Sequence, residues 1–425
     1  MSIIIITFLI LLIVGVPIAF VLGLSSIFYI LVSENFSFLI NVPQRMIAAA
    51  NNFSLMAIPF FVLAGELMNN GGITGRLTNF ARSLVAHFRG GLAYVNILVS
   101  MFLSSIVGSA NAVAAIQSSS MVPEMKKDGY SNEYSSAVTA ASSIMGPIIP
   151  PSMVFIVYGV AAGTSIGALF LAGIVPGILL GIAFMVISYF YAKKKNYPTK
   201  VRSSINDMLK SFIIASPALT IPVLIIVGIV TGSFTPTEAG AMGSLIAFIL
   251  GMFIYRDLKW NHLPGIFMRT GLITATIMII VATANIFGWT LTMERIPQMI
   301  AETLLALSEN PLVILLIINL LLLLVGMFLE PFAAIIILVP VLLPIIEQLG
   351  IDPVHFGVIV TLNLVIGLIT PPIGIVLFVV SGATKVSVSQ LSSAVVPFII
   401  ASVIVLLFVT YIPEIVLYLP QKFLN

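Results

Sequence analysis

Apolar runs of about 20 residues, the length that spans a hydrocarbon core, recur through the whole chain, with the polar positions gathered between them. The pattern predicts spans over residues 167–191, 212–232, 238–255, 270–292 and 394–412, and a first span over 3–32. Other runs are too short to cross alone. Residues 92–107 and 110–123 are parted by the small, polar stretch Ser104–Asn111, and residues 311–328 and 331–346 by Gly326–Pro331. Each pair reads as a re-entrant hairpin with its tip near the membrane midplane, a depth at which irregular backbone survives only in protein or beside a cavity. Two further stretches, 134–163 and 355–384, read as broken helices. They carry Gly146-Pro147-Ile148-Ile149-Pro150-Pro151 and Gly367-Leu368-Ile369-Thr370-Pro371-Pro372, and a double proline removes backbone donors and interrupts a helix.

The two breaks are the same feature repeated. Their offset, 371 − 150 = 221, also relates Pro123 to Pro344, Gly129 to Gly350, Gly146 to Gly367 and Pro176 to Pro397. Two amphipathic stretches correspond as well. In 72–90, Ile73, Leu77, Phe80, Leu84 and Phe88 form a helical stripe opposed by Arg76, Arg82 and Arg89, and 295–309 is patterned alike. Each precedes a hairpin, which suits an interfacial helix joining a static span to a moving element. Residues 36–50 and 196–210 read as further interfacial helices, the second basic and cytoplasmic.

Charge then orients the repeats. Arg89, Lys126 and Lys127 at the feet of the first hairpin place those feet in the cytoplasm by the positive-inside rule. Counting spans from there brings Lys193–Lys195, then Arg256, Lys259 and Arg269, then Lys385 to the same side, while the second hairpin enters from outside with Glu309, Glu347 and Asp352 at its feet. The halves are therefore expected to be inverted-topology repeats. The organisation expected is an N-terminal span and interfacial segment (1–45), a first repeat (46–195), connecting spans (196–267), a second repeat (268–413) and a C-terminal tail (414–425).

Composition sets the class. With 60% hydrophobic and 8% charged residues and a mean hydropathy of +1.20, the chain is an all-α polytopic membrane protein and not a soluble domain. The N-terminus lacks the basic region of a cleavable signal. Absence of cysteine excludes disulfides, thiolate metal sites and cysteine nucleophiles. The net charge of +3, without a clustered basic face, does not suit nucleic acid. No phosphate-binding loop, nucleophile elbow or zincin motif occurs, so ATP-driven pumping and the common hydrolase chemistries find no support.

Breaks at matching places in two membrane repeats point to a transporter's binding site. Half-helix N-termini offer free N–H groups and positive dipole to an anionic substrate, which nominates Ser109, Asn111, Pro150, Pro151, Ser152, Pro331, Pro371 and Pro372. Pro151 and Pro372 are expected in the first turn of their second half-helices, where proline is tolerated. Half-helix C-termini offer carbonyl oxygens to Na⁺. One cation site is expected from Ser104, Ser105, Gly108, Gly146 and Pro147, and its mate from Gly326, Phe328, Glu330, Gly367 and Thr370. Glu330, an intramembrane carboxylate, would shape or neutralise the second site. Small residues also enrich tight helix interfaces in membranes; the symmetric second break favours the binding site over mere packing at the first tip. Glu66 reads as a solvated interfacial residue, Asn319 and Asn363 as helix–helix hydrogen-bonders, and His87, His262 and His355 lack metal-ligand spacing.

Several segments resemble the large membrane subunit, DctM-type, of tripartite ATP-independent periplasmic (TRAP) transporters. They are Met56-Ala57-Ile58-Pro59-Phe60-Phe61 with Ala64-Gly65-Glu66, Gly108-Ser109-Ala110, Pro147–Ser152, Thr235-Pro236-Thr237-Glu238-Ala239 and Thr370-Pro371-Pro372. Where many members follow Gly-Ser-Ala with Val-Ala-Asp, this chain has Asn111-Ala112-Val113-Ala114. The resemblance implies Na⁺-coupled uptake of an organic acid across the bacterial inner membrane by an elevator movement of the hairpins and broken helices. It also implies two partners, a soluble periplasmic substrate-binding protein and a small four-helix membrane subunit, the latter expected as a separate polypeptide. Sialic acid (N-acetylneuraminate) is the favoured substrate; C4-dicarboxylates, other sugar acids and 2-oxo acids stay open. An ion channel, a non-transporting assembly subunit and a membrane-embedded enzyme are the competing classes, and inverted repeats with midplane breaks suit alternating access best.

Overall fold

In the N-terminal stretch the structure departs from a single span. The computed structural model describes residues 2–34, 36–197, 199–308 and 310–424; Glu309, expected at a foot of the second hairpin, lies outside them. Helices α1 (Ser2–Ile13) and α2 (Ile18–Val32) replace the expected span over 3–32, because Gly15 adopts φ +85° and Pro17 cannot continue the hydrogen-bond ladder. The two pack on each other. Their 12 and 15 residues extend about 18 and 22 Å, short of the roughly 30 Å core. A 3₁₀ turn and α3 (Asn41–Ala50) follow, then a second 3₁₀ turn capped by Asn52.

The first repeat region contains α4 (Ala57–Asn70), α5 (Ile73–Val85), α6 (Gly91–Val107), α7 (Ala110–Lys127), α8 (Asn132–Ser143), α9 (Met153–Ala162) and α10 (Ile166–Lys195). Two connecting helices come next, α11 (Ile205–Val230) and α12 (Pro236–Ile249). No separate interfacial helix forms in the described part of 196–210. Ser204 caps α11 directly by accepting from Asp207 N, so Ile205 onward belongs to the long helix. The second repeat region contains α13 (Leu263–Met293), α14 (Ile296–Leu307), α15 (Pro311–Phe328), α16 (Pro331–Gln348), α17 (Pro353–Gly367), α18 (Ile375–Thr384) and α19 (Val388–Tyr411), before the terminal α20 (Glu414–Leu424). Among the described residues, eight helical segments are long and apolar enough to cross a membrane.

At the hairpin tips and second arms the repeat holds in register. Helices α7 and α16 begin and end at equivalent positions (331 − 110 = 221; 348 − 127 = 221), and α6 and α15 end equivalently (328 − 107 = 221). Past those hairpins, Gly129 and Gly350 both take positive φ, +85° and +70°, a conformation that glycine adopts without steric cost. Packing repeats too. Helix α7 lies on α18 and α16 lies on α9, so each hairpin's second arm rests on the broken helix of the other half. Helices α8 and α17 run through the centre: Tyr134–Ser143 and His355–Gly367 are buried throughout, as expected of helices surrounded on every side. Against this body stand α4, packed on α12 and α13, and α11, packed on α5 and α12; α2 and α3 pack on α13.

Candidate functional site

Two residues, Gly108 and Ser109, join α6 to α7. Gly108 ends α6 in the left-handed region, φ +61°, and its N–H donates to Ser104 O at 3.2 Å. A Cβ there would lie 3.2 Å from Pro151 O, and one on Gly146 would lie 3.0 Å from the carbonyl carbon of Ser109. The first tip thus sits backbone-to-backbone against the first break. The second pair is tighter. A Cβ on Gly367 would lie 2.2 Å from the carbonyl carbon of Gly326, and one on Gly326 would lie 2.9 Å from Leu364 O. Only glycine permits either approach. Gly65 of α4 faces the first tip in the same way, its Cβ position 3.4 Å from Ile106 O.

The hydroxyls near the breaks are arranged as acceptors. Ser104 Oγ donates to Ser100 O at 2.6 Å, Ser105 Oγ to Phe102 O at 2.8 Å and Thr370 Oγ1 to Ile366 O at 2.7 Å. Each hydroxyl proton is bound by a carbonyl three or four residues earlier, so the oxygen lone pairs remain for a hard cation. Ser152 is different. It accepts from Phe155 N and donates to Pro147 O while fully buried, so it braces its own break and does not face an open cavity. Pro151 and Pro372 also differ from the expectation of a first-turn position. Helix α9 starts after the cap residue Ser152 and α18 after Gly374, so both prolines precede their helices.

The tips converge on one cavity of about 320 Å³. Ser109 and Asn111 enter it from the first hairpin, Glu330 and Phe332 from the second, and Met153 from the first broken helix. Its opposite wall is Gly65, Glu66 and Asn69 of α4 with Ile273, Thr276 and Ile277 of α13. A crevice of about 20 Å³ continues among Gly108, Ser109, Pro147, Glu330, Pro331 and Leu368. Ser109 and Glu330 stand at the cap positions of α7 and α16, yet neither side chain makes a capping bond. The first-turn N–H groups of both helices are therefore left without a side-chain cap, and at α7, whose cap position holds no carboxylate, this arrangement favours an anion. Among the described residues, nothing donates to the Glu330 carboxylate, and Asn111 Oδ1 has no partner. Of the nominated residues, Ser109, Asn111, Pro147, Gly108, Glu330 and Pro331 line cavity or crevice. Ser104, Ser105, Gly146, Pro150, Pro151, Ser152, Gly326, Phe328, Gly367, Thr370, Pro371 and Pro372 line neither.

Glu66 is not simply solvated. It lines the cavity and pairs with Arg269 at 2.7 Å, tying α4 to α13 across 203 positions of sequence. Sequence patterning gave no signal for a partner so distant. Asn363 and Asn319 do bond between helices: Asn363 Nδ2 donates to Asn319 Oδ1 at 2.7 Å and Asn319 Nδ2 to Thr410 Oγ1 at 3.1 Å. A second polar cluster went unread. Asn96 donates to Thr139 at 2.7 Å, Ser100 to Ser142 at 2.8 Å, and Gln117 to Ser100 Oγ at 3.1 Å, all fully buried between α6, α7 and α8.

Across the tips lies a larger cavity, about 640 Å³. Three helices contribute to both, one turn apart: Met153 and Val157, Ile277 and Val281, Phe332 and Ile336. The septum is apolar and about 6 Å thick, four residues at 1.5 Å each.

Known proteins resemble the chain along most of its length. Residues 5–415 match the family model of the DctM component of the tripartite ATP-independent periplasmic transporter. The sialic acid TRAP transporter large permease protein SiaM of Vibrio cholerae is 44% identical, over 98% of this chain and 97% of that protein. The C4-dicarboxylate TRAP transporter large permease protein DctM of Pseudomonas aeruginosa is 40% identical, over 89% and 88% respectively. In fold, the chain resembles the crystal structure of the Alcanivorax borkumensis YdaH transporter, with a TM-score of 0.63 over 89% of this chain and 88% of that one at 14% identity.

Proposed function

This chain belongs to the DctM family of TRAP large permeases, and from that premise we propose that it carries a sialic acid into the cell in symport with Na⁺. It is a multi-pass membrane transporter subunit, and the two-tip cavity carries the finer reading. The uncapped first turn of α7 attracts a carboxylate, while Ser109 and Asn111 offer neutral hydrogen-bonding groups to the rest of a sugar acid. Na⁺ is held by oxygens of the tip–break contacts: Ser104, Ser105 and Gly108 with Gly146 and Pro147, and Gly326, Phe328 and Glu330 with Gly367 and Thr370. Because each cation joins a tip to a break, filling both sites rigidifies the edge of the substrate cavity, and this couples ion to substrate.

Movement follows from the packing. The hairpins and broken helices interlock through α7 on α18 and α16 on α9, so they travel as one body. Helices α4 and α13 form the wall they pass, with Gly65 providing a smooth track at the first tip. An inner-membrane complex with a small membrane subunit and a periplasmic binding protein completes the system. Sialic acid is favoured because the SiaM relative stands at 44% identity and, among the described residues, no Arg or Lys lines the two-tip cavity. A C4-dicarboxylate or another sugar or 2-oxo acid is the alternative substrate class. The test is uptake of labelled N-acetylneuraminate into proteoliposomes containing the chain and its small partner, with and without binding protein, in Na⁺ or K⁺. Uptake requiring both Na⁺ and binding protein supports the reading. Uptake of succinate but not N-acetylneuraminate refutes the substrate, and uptake indifferent to Na⁺ refutes the coupling.

A further inference from the structure

The 640 Å³ cavity beyond the septum is large enough for a small organic molecule, and its chemistry is not that of a passive vestibule. Arg45 on α3 enters it with its guanidinium carbon 4.4 Å above the ring centre of Trp289. Phe38 holds that indole edge-on at 5.6 Å. This cation–π contact fixes where the guanidinium sits, and none of its N–H groups has a protein partner among the described residues, which leaves them free to grip a carboxylate. Arg45 is exposed and pairs with no carboxylate among the described residues, and no acidic side chain lines the cavity. Asn285 projects into the same space from α13, exposed although it lies in the middle of an apolar helix, and Asn52 contributes its amide while its Oδ1 caps Ser54 N at 3.0 Å. A cationic fork and two amides above a floor of Val157, Ile336 and Pro340 make a site for a monocarboxylate with a polar body.

We propose that Arg45, Trp289 and Asn285 form an anion-staging site, separate from the two-tip cavity, that holds the organic acid by its carboxylate before the tips take it. The inference rests on the transport reading above. Arg45 and Asn285 belong to α3 and to α13, which pack on each other on the wall side, whereas the floor comes from α9 and α16 of the interlocked body. The staging groups thus stay in place while the floor moves beneath them. An ascending floor brings Phe332 and then Glu330 toward the held acid, because they precede Ile336 along α16. Charge also has a task at this end. Among the described residues the two-tip cavity has no cationic side chain in its lining, so Arg45 supplies the attraction that draws an anion toward it.

Trp289 is one of two tryptophans and reports directly on its neighbour. In detergent-solubilised complex with the small subunit, N-acetylneuraminate is titrated without Na⁺, and the signal of a Trp289→Phe complex is subtracted. The staging site predicts a saturable change in the Trp289 signal that Arg45→Gln abolishes and Arg45→Lys weakens. A flat titration overturns the proposal whether or not transport occurs. In proteoliposomes, Arg45→Gln is expected to raise KM for the loaded binding protein about tenfold, the loss of one charge-assisted contact, while half-saturating Na⁺ stays unchanged. The affinity of the empty binding protein for the complex also stays unchanged. A parallel fall in that affinity reassigns Arg45 to docking and overturns the proposal. If the wild-type complex binds the acid at Trp289 yet takes up no organic acid, the transport reading fails and the binding site stands alone.

Discussion

Ser109 and Glu330 occupy equivalent positions in the two repeats, 330 − 109 = 221 residues apart, and face one another across a single cavity. Each heads the second arm of its hairpin and neither caps that arm. The repeat therefore produces one site with two unlike walls. A neutral hydroxyl stands on one side and a carboxylate on the other, so roles that symmetry would share can divide between substrate and cation.

That division predicts opposite kinetic signatures. Glu330→Gln is expected to raise the half-saturating Na⁺ concentration of uptake about tenfold, as loss of a charge beside a cation in a low-dielectric site should, and Thr370→Ala and Ser105→Ala to shift it less. Ser109→Ala is expected to raise KM for the acid while leaving the Na⁺ curve in place. Na⁺ titrations of initial uptake rates separate these, and an unmoved curve in Glu330→Gln removes that residue from the cation site.

Gly326 and Gly367 touch backbone to backbone, so Gly367→Ala forces the second tip off its break. The expected cost is about 1–3 kcal/mol of stability, typical of overpacking, together with loss of Na⁺-dependent uptake. Gly382→Ala, in a helix where nothing lies within 4 Å of the added methyl, is the matched control and should retain both. Thermal unfolding of the two purified complexes with and without Na⁺ checks the pair. Equal Na⁺-induced stabilisation in Gly367→Ala would contradict a cation site at that contact.

The Glu66–Arg269 pair braces the wall at the cavity mouth, and its side chains are 21% and 49% exposed. At that exposure a double-mutant cycle of Glu66→Gln and Arg269→Gln should give a coupling of only about 0.2–1 kcal/mol, lower still in high salt. A coupling several times larger would mean that the pair gates the cavity and does not merely brace it.

Much of this architecture was legible in the sequence because it is written in backbone terms. Proline pairs, glycines and run lengths constrain a helix wherever it packs, so both hairpins, both breaks and their common offset could be read from Pro150, Gly146 and their mates. The N-terminal hairpin was missed because the Gly15–Pro17 turn interrupts a run of 30 apolar residues with little polar signal. At the site, Ser109 and Glu330 of the two-residue links line the cavity, and Asn111, Gly108, Pro147 and Pro331 line it or its crevice. Ser152 carried the same sequence signal but caps its own helix, since a serine between a break and a helix can serve either purpose. Glu66 with Arg269, Arg45 with Trp289 and the Asn96–Gln117 cluster depend on tertiary neighbours, which no local period encodes.

The central claim is that the two tips form a site that changes sides with Na⁺ and substrate, and cysteine accessibility tests it most directly. The chain has no cysteine, so Ala112→Cys in the tip cavity and Ala48→Cys in the far cavity can each be labelled with an impermeant thiol reagent from either face of oriented vesicles. The account predicts that Ala112→Cys reacts from the Lys193–Lys195 face and Ala48→Cys from the opposite face, and that Na⁺ with the transported acid protects Ala112→Cys. During turnover, with binding protein present, Ala112→Cys should also become reactive from the opposite face. Labelling of Ala112→Cys that is unaffected by Na⁺ and substrate, and confined to one face throughout turnover, would contradict it.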